Sequence, residues 1–214
     1  MASVTRRSHG NRAKRREDVR RRLLTVVERL LSEGDTYAEL SVERLVSEAG
    51  LSRSTFYVYF EDKGDLLRAW FTQVIEELED AASGWWQLDG SATREDLHAA
   101  LAEIVRSYRP HTTLMAALYD ISSYDATARE EVGTMMGRNA GGLIKHVRRG
   151  QAEGWIDPDL PAKETSAWLM WMAERGLHQM VRIADADEAE KQIDAFTDII
   201  WNTLYARAPS RLAA

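Results

Sequence analysis

The sequence predicts an all-α protein: a small N-terminal head of three helices followed by a larger helical body. Three observations lead there. Apolar residues recur at helical spacing along most of the chain, with no strand signal of substance and no internal repeat. Leu, Ala, Glu and Arg dominate, with only four prolines in 214 residues. Two short apolar runs, LSVERL and LSRSTF, open with the same Leu-Ser device on either side of Ala49-Gly50.

Residues 1–16 are polar, basic and aperiodic, and the expectation is a disordered arm. A first helix is expected over 17–33, where Val19, Leu23, Val26, Val27, Leu30 and Leu31 share a stripe, with Gly34 ending it. Ser41 then serves as an N-cap, with Leu40 and Leu45 placed as a hydrophobic staple. Leu51, Ser52 and Phe56 repeat the arrangement. Gly50 supplies the left-handed turn between the two short helices, and two such helices joined tightly outline a helix-turn-helix. A fourth helix starts near Asp62. Further helices are expected over 93–109, 112–122, 126–153 (loosened by Gly141 and Gly142), 162–183 and 187–207. The implied organisation is an arm at 1–16, a helix-turn-helix domain at 17–65, a helical body at 66–207 and a tail at 208–214.

Charge divides unevenly along this organisation. Residues 1–68 hold 14 Lys/Arg against 11 Asp/Glu, a net of +3, so the rest, with 14 against 23, carries −9. A basic head on an acidic body suits a polyanion at one end only, and the arm could add phosphate contacts. With no cysteine, disulfides and thiolate chemistry are excluded, and a structural zinc site is disfavoured. His9, His98, His111, His146 and His178 show no metal-ligand spacing, and no Gly-rich phosphate loop or nucleophile elbow occurs. The expectation is a non-enzyme without cofactor or metal. The absence of a membrane-length apolar run and of a signal peptide points to the cytoplasm.

On a helical wheel, Phe56 and Phe60 share the inward face of the second short helix. Ser54, Thr55 and Val58 point out, and Tyr57 and Tyr59 flank them. A front of small residues fits the major groove of DNA, and flanking hydroxyls can reach the phosphate walls. Lys63, in the first turn of the next helix, is expected to clamp a phosphate. Ser41 and Ser52 are N-caps first, with phosphate contact as an added role. Arg44 lies nearly one turn into its helix. Arg53 could pair with Glu48 or Glu61, or reach a guanine. Tyr59 could be a contact or a core-edge residue.

The stretch ERLLSEGDTYAELSVERLVSEAGLSRSTFYVYFEDKGDLL resembles the N-terminal domain of the tetracycline-repressor (TetR) family. The resemblance rests on the aliphatic first helix, Ser41, the AGLS turn, the T-F-Y-x-Y-F segment, and Lys63 followed by Leu66. It implies DNA contacts at Thr55, Tyr57 and Lys63, a homodimer on a palindromic operator, most simply as a repressor, and a small-molecule effector in the body. Histidine is common at the Tyr59 position in that family. MAERGL (172–177) and IIWNTLY (199–205) resemble, more weakly, the last helices of the ethionamide-resistance regulator branch. There the position of Ala173 is a ligand-bonding asparagine, so alanine implies a more apolar effector.

The body is rich in Trp and Met. AWLMWMA (167–173) is apolar nearly all round and needs covering on both sides, one by its own domain and one by a partner subunit. Ile193, Phe196, Ile200, Thr203 and Leu204 form a stripe expected to join it in an intersubunit bundle. Tyr108, Met115, Leu118, Tyr119, Met135, Met136, Trp168, Met172 and Trp201 are candidates to line an adaptable apolar effector site. Thr112, Asn139, Glu174, Arg175, His178 and Gln179 are candidate polar partners. The alternative is a ligand-blind, constitutive DNA-binding dimer with a filled body.

Overall fold

The computed structural model describes the backbone of residues 5–208 and the side chains from residue 14 onward. Residues 1–4 of the expected arm and 209–214 of the expected tail lie outside the described residues. Within them the chain forms nine α-helices and no strand: α1 (Thr5–Ser32), α2 (Val42–Glu48), α3 (Arg53–Tyr59), α4 (Lys63–Trp86), α5 (Arg94–Tyr108), α6 (Thr112–Ser122), α7 (Ala126–Glu153), α8 (Ala162–Gly176) and α9 (Ala186–Leu204). The chain divides into two compact units, residues 1–73 with 113–128, and residues 74–112 with 129–214. The first unit is wider than the expected head: its boundary falls inside α4 rather than at residue 65, and it includes α6.

α1 corrects the expectation of a disordered arm, since residues 5–16 are already helical. Arg and Lys are strong helix formers. Farther along, Glu17 pairs with Arg20 at 2.7 Å, and Asp18 with Arg21 and Arg22, at the one-turn spacings that support a helix. Gly34 (φ +104°) stops α1, and Asp35 N–H donates back to Leu30 O. Gly50 (φ +63°) does the same between α2 and α3, with Leu51 N–H donating to Val46 O at 2.8 Å. The core of this unit is aliphatic and aromatic: Leu23, Val27 and Leu30 of α1, Leu45 of α2, Phe56 of α3, Phe60, and Leu66 and Trp70 of α4 are all buried.

In the second unit α5 packs along α9. Ile193, Ile200 and Leu204 are buried within the unit, where Leu97, Leu101 and Val105 of α5 supply a matching apolar face, while Phe196 and Thr203 are half-buried. Polar pairs flank the seam: Arg94 with Asp198 at 2.6 Å, and His98 with Glu190 at 3.3 Å. α7 runs unbroken through Gly141 and Gly142. At Gly142 a β-carbon would meet the Trp86 indole at 3.3 Å, so that glycine makes room for a ring. The helix expected over 162–183 divides into α8 and a π-helical segment, Leu177–Val181, closed by Arg182 N–H donating to Leu177 O.

A buried aromatic network organises this unit. His146 Nδ1 faces the Trp86 carbonyl, an acceptor, so Nδ1 carries the proton. Nε2 then accepts from the Tyr205 hydroxyl at 2.7 Å, which in turn accepts from Trp85 Nε1–H at 3.0 Å. Burial, aided by the charge of Arg149 and opposed by the Trp86 hydrogen bond, pushes His146 down to about 4. An unfolded histidine binds a proton near pH 6.5. Between those values the unfolded chain holds the extra proton, so stability falls as pH falls. The expected loss from this residue is about 3 kcal/mol between pH 7 and 4. Urea titrations at both ends should show it, and His146→Gln should remove that part of the slope.

No helix among the described residues is long and apolar enough to cross a membrane.

Candidate nucleic-acid interface

α3 is placed by its ends. Ser52 caps it, accepting from Thr55 N–H at 3.0 Å, and Phe56 and Phe60 anchor it in the core at 0% and 1% exposure. Its opposite face is open. Ser54 is exposed, Tyr57 is 49% exposed and Val58 60%. Thr55 and Tyr59 are half-buried on the flanks. The hydroxyls of Ser54 and Thr55 both lie 2.8 Å from Ser52 Oγ, so they turn back toward the cap. Tyr57 and Val58 are therefore the most prominent side chains of the face. Arg53 lies 5.9 Å over the Tyr57 ring, which orients both groups at one edge of α3.

α2 contributes less than expected. Ser41 accepts from Arg44 N–H at 3.1 Å as an N-cap. Arg44 is exposed, but its guanidinium grips Asp35 through two hydrogen bonds of 2.9 and 2.8 Å and lies near Glu48. That bidentate grip competes with any phosphate.

Lys63 is engaged within its own unit. Its ammonium donates to the carbonyls of Tyr37 (3.0 Å), Ala38 (2.6 Å) and Leu40 (3.0 Å), which engages all three of its protons. The Tyr37 hydroxyl donates in return to Lys63 O. Burial, then the charge of Asp62, pushes the Tyr37 phenol upward, which keeps that donor protonated. Desolvation pulls Lys63 down. The first residue of α4 is thus braced against the turn before α2. Tyr37 and Asp35 are the residues that sequence reasoning missed. The available signal was an aromatic residue set in an otherwise polar turn, DTYAE.

The expected effector residues separate. Met115 and Leu118 are buried and Tyr119 is half-buried in the first unit, while Tyr108, Met135, Met136, Trp168, Met172 and Trp201 belong to the second. Trp168 and Met172 are not wall residues. They are 73% and 38% exposed, because Ser166, Leu169, Met170 and Glu174 form the buried stripe of α8 and turn the tryptophan outward.

Three comparisons bear on this arrangement. The sequence model of bacterial regulatory proteins of the tetR family matches residues 23–70. Over 213 residues the chain is 24% identical to the HTH-type transcriptional regulator EthR of Mycolicibacterium smegmatis, covering 97% of each protein. Among solved structures it resembles a TetR transcription regulator from Haloarcula marismortui, with TM-score 0.68 and 18% identity over 88% of this chain and 99% of that one. It also resembles a transcriptional regulator from Saccharomonospora viridis in complex with choline, with TM-score 0.67 and 20% identity over 89% and 100%.

Proposed function

We propose that this chain, which resembles the tetR family of bacterial regulatory proteins over residues 23–70 and the regulator EthR over nearly its whole length, is a DNA-binding transcriptional regulator and not an enzyme: a dimeric, ligand-responsive repressor of a palindromic operator. The observation that carries the DNA-reading half is the two-sided α3. Phe56 and Phe60 fix it in the core, while Ser54, Tyr57 and Val58 face outward at helix-in-groove width. Thr55, Tyr59 and Arg53 flank that front; Ser41 supports it from the start of α2, and Arg44 joins only by releasing Asp35.

Selection from a pool of random duplexes tests this reading. The wild-type protein should enrich a two-fold symmetric sequence with half-sites about one helical turn apart. Val58→Arg should change the preferred base at one position per half-site, by about tenfold in affinity. Enrichment of an unchanged sequence by the variant would remove α3 as the reader.

Dimerisation is supported by an apolar surface on the second unit. Trp168, Trp171 and Met172 of α8, Met180, Ile183 and Ile199 are all exposed, more bulky apolar surface than a lone protomer ordinarily shows. Ligand response is supported by the body's many Trp and Met residues and by the choline-bound structure of the Saccharomonospora viridis relative. Effector shifts the population toward a body conformation whose α3 pair no longer fits successive grooves. The coupling is reciprocal: operator and effector lower one another's affinity by the same factor.

A further inference from the structure

Among the buried side-chain polar groups of the second unit that find no hydrogen-bond partner are those of Glu174 and Tyr108. Glu174, in the last turn of α8, is 8% exposed, and no protein group hydrogen-bonds either carboxylate oxygen. Arg175 Nε lies 3.3 Å from Oε2, but on a side chain that is 58% exposed and without the alignment to donate. Tyr108, at the end of α5, is 3% exposed and its hydroxyl has no partner. Buried polar groups are nearly always hydrogen-bonded, and a buried carboxylate without a donor costs stability, so two such groups require a reason.

They stand on neighbouring elements. α5 packs on the π-helical segment that begins three residues after Glu174, and Arg109 Nη2 pins the end of α5 to Ala184 O at 3.0 Å. Burial first, then the negative charge of Glu174, raises the Tyr108 phenol to about 12 against the opposing charge of Arg182. The phenol therefore stays protonated and its oxygen can accept. A π-turn widens the helix and occurs often at functional sites. Here it also turns His178 inward, to 9% exposure. Val105, Leu169 and Val181, close in sequence to these groups, are buried and apolar.

Resting on the ligand-responsive reading above, we propose that Glu174 and Tyr108 form the polar end of the effector site and that the effector is an apolar molecule bearing a protonated amine. An ammonium carries three donors and a positive charge. It can donate to the Glu174 carboxylate and to the Tyr108 oxygen together, and charge-assisted bonds of this kind are the strong ones. An alcohol offers a single donor, and a carboxylate is repelled. This changes the apolar effector that Ala173 implied: the recognition group stands one residue beyond it, at Glu174.

The test uses the full chain and three probes of matched length below their micelle concentrations: octylamine, octanol and octanoate. Calorimetric titration should give octylamine an affinity about tenfold or more above octanol, with octanoate weakest. Glu174→Gln should abolish the preference for amine over alcohol, a change of ratio that a purely structural role would not produce. Tyr108→Phe should reduce the preference in part, and serves as the second variant should Glu174→Gln melt early. Equal binding of the three probes overturns the assignment; if they still release the selected operator, ligand response stands without it. Amine-selective binding that leaves operator affinity untouched supports the site but removes the regulatory reading. Failure of all three to bind overturns the assignment.

Discussion

Trp168→Asp is expected to convert the protein to monomer at micromolar concentration and to weaken operator binding by about a hundredfold or more. Trp168 is 73% exposed in the protomer, at the centre of an apolar face with Trp171 and Met172, opposite the stripe that α8 buries in its own unit. A carboxylate placed in the middle of a desolvated interface loses the contact and adds an uncompensated charge. Because Trp168 contributes nothing to the protomer's core, each protomer should keep its helix content and melt cooperatively. The large effect on DNA binding arises from avidity. Two linked recognition helices convert the second half-site contact into an intramolecular event, commonly a factor of 10²–10⁴. Light scattering after size exclusion and a duplex titration read the two effects. A variant that remains dimeric would place the subunit interface elsewhere.

Lys63→Ala carries the second large effect. As the structure has it, the ammonium ties three backbone carbonyls of residues 37–40 to the start of α4. Removing it should cost about 2–3 kcal/mol, a sum discounted because these carbonyls are partly open to water. The salt dependence of DNA binding should keep its slope, since no phosphate contact is lost. The opposite pair of outcomes, unchanged stability with a slope reduced by about one, would identify Lys63 as the phosphate clamp that the sequence suggested. Denaturant titration together with binding at several salt concentrations separates the two roles.

That contrast shows where sequence reading succeeds. Helix limits in the head were legible because each boundary has a local cause: a serine cap at 41 and 52, and a left-handed glycine at 34 and 50. The inward face of α3 was legible because Phe56 and Phe60 stand one turn apart. What a side chain bonds to across the fold was not. Lys63 lies 26 residues from Tyr37 and Arg44 lies nine from Asp35, and neither distance leaves a periodic trace. The amphipathic stripe of α9 was visible, but periodicity says only that a face is covered; which element packs along it, here α5, it does not say. Orphaned acceptors such as those of Glu174 are beyond any wheel, since they are defined by what fails to approach them.

The π-helical segment at Leu177–Val181 has a consequence for engineering. A π-turn is geometrically a regular helix into which one residue has been slipped. A deletion in an ordinary α-helix swings everything downstream by roughly 100°. At this turn the widened loop of backbone already holds the surplus residue, so excising one position can restore the ordinary pitch while the residues on either side keep their faces. The segment is thus the place in α8 and its extension where a one-codon deletion should be best tolerated.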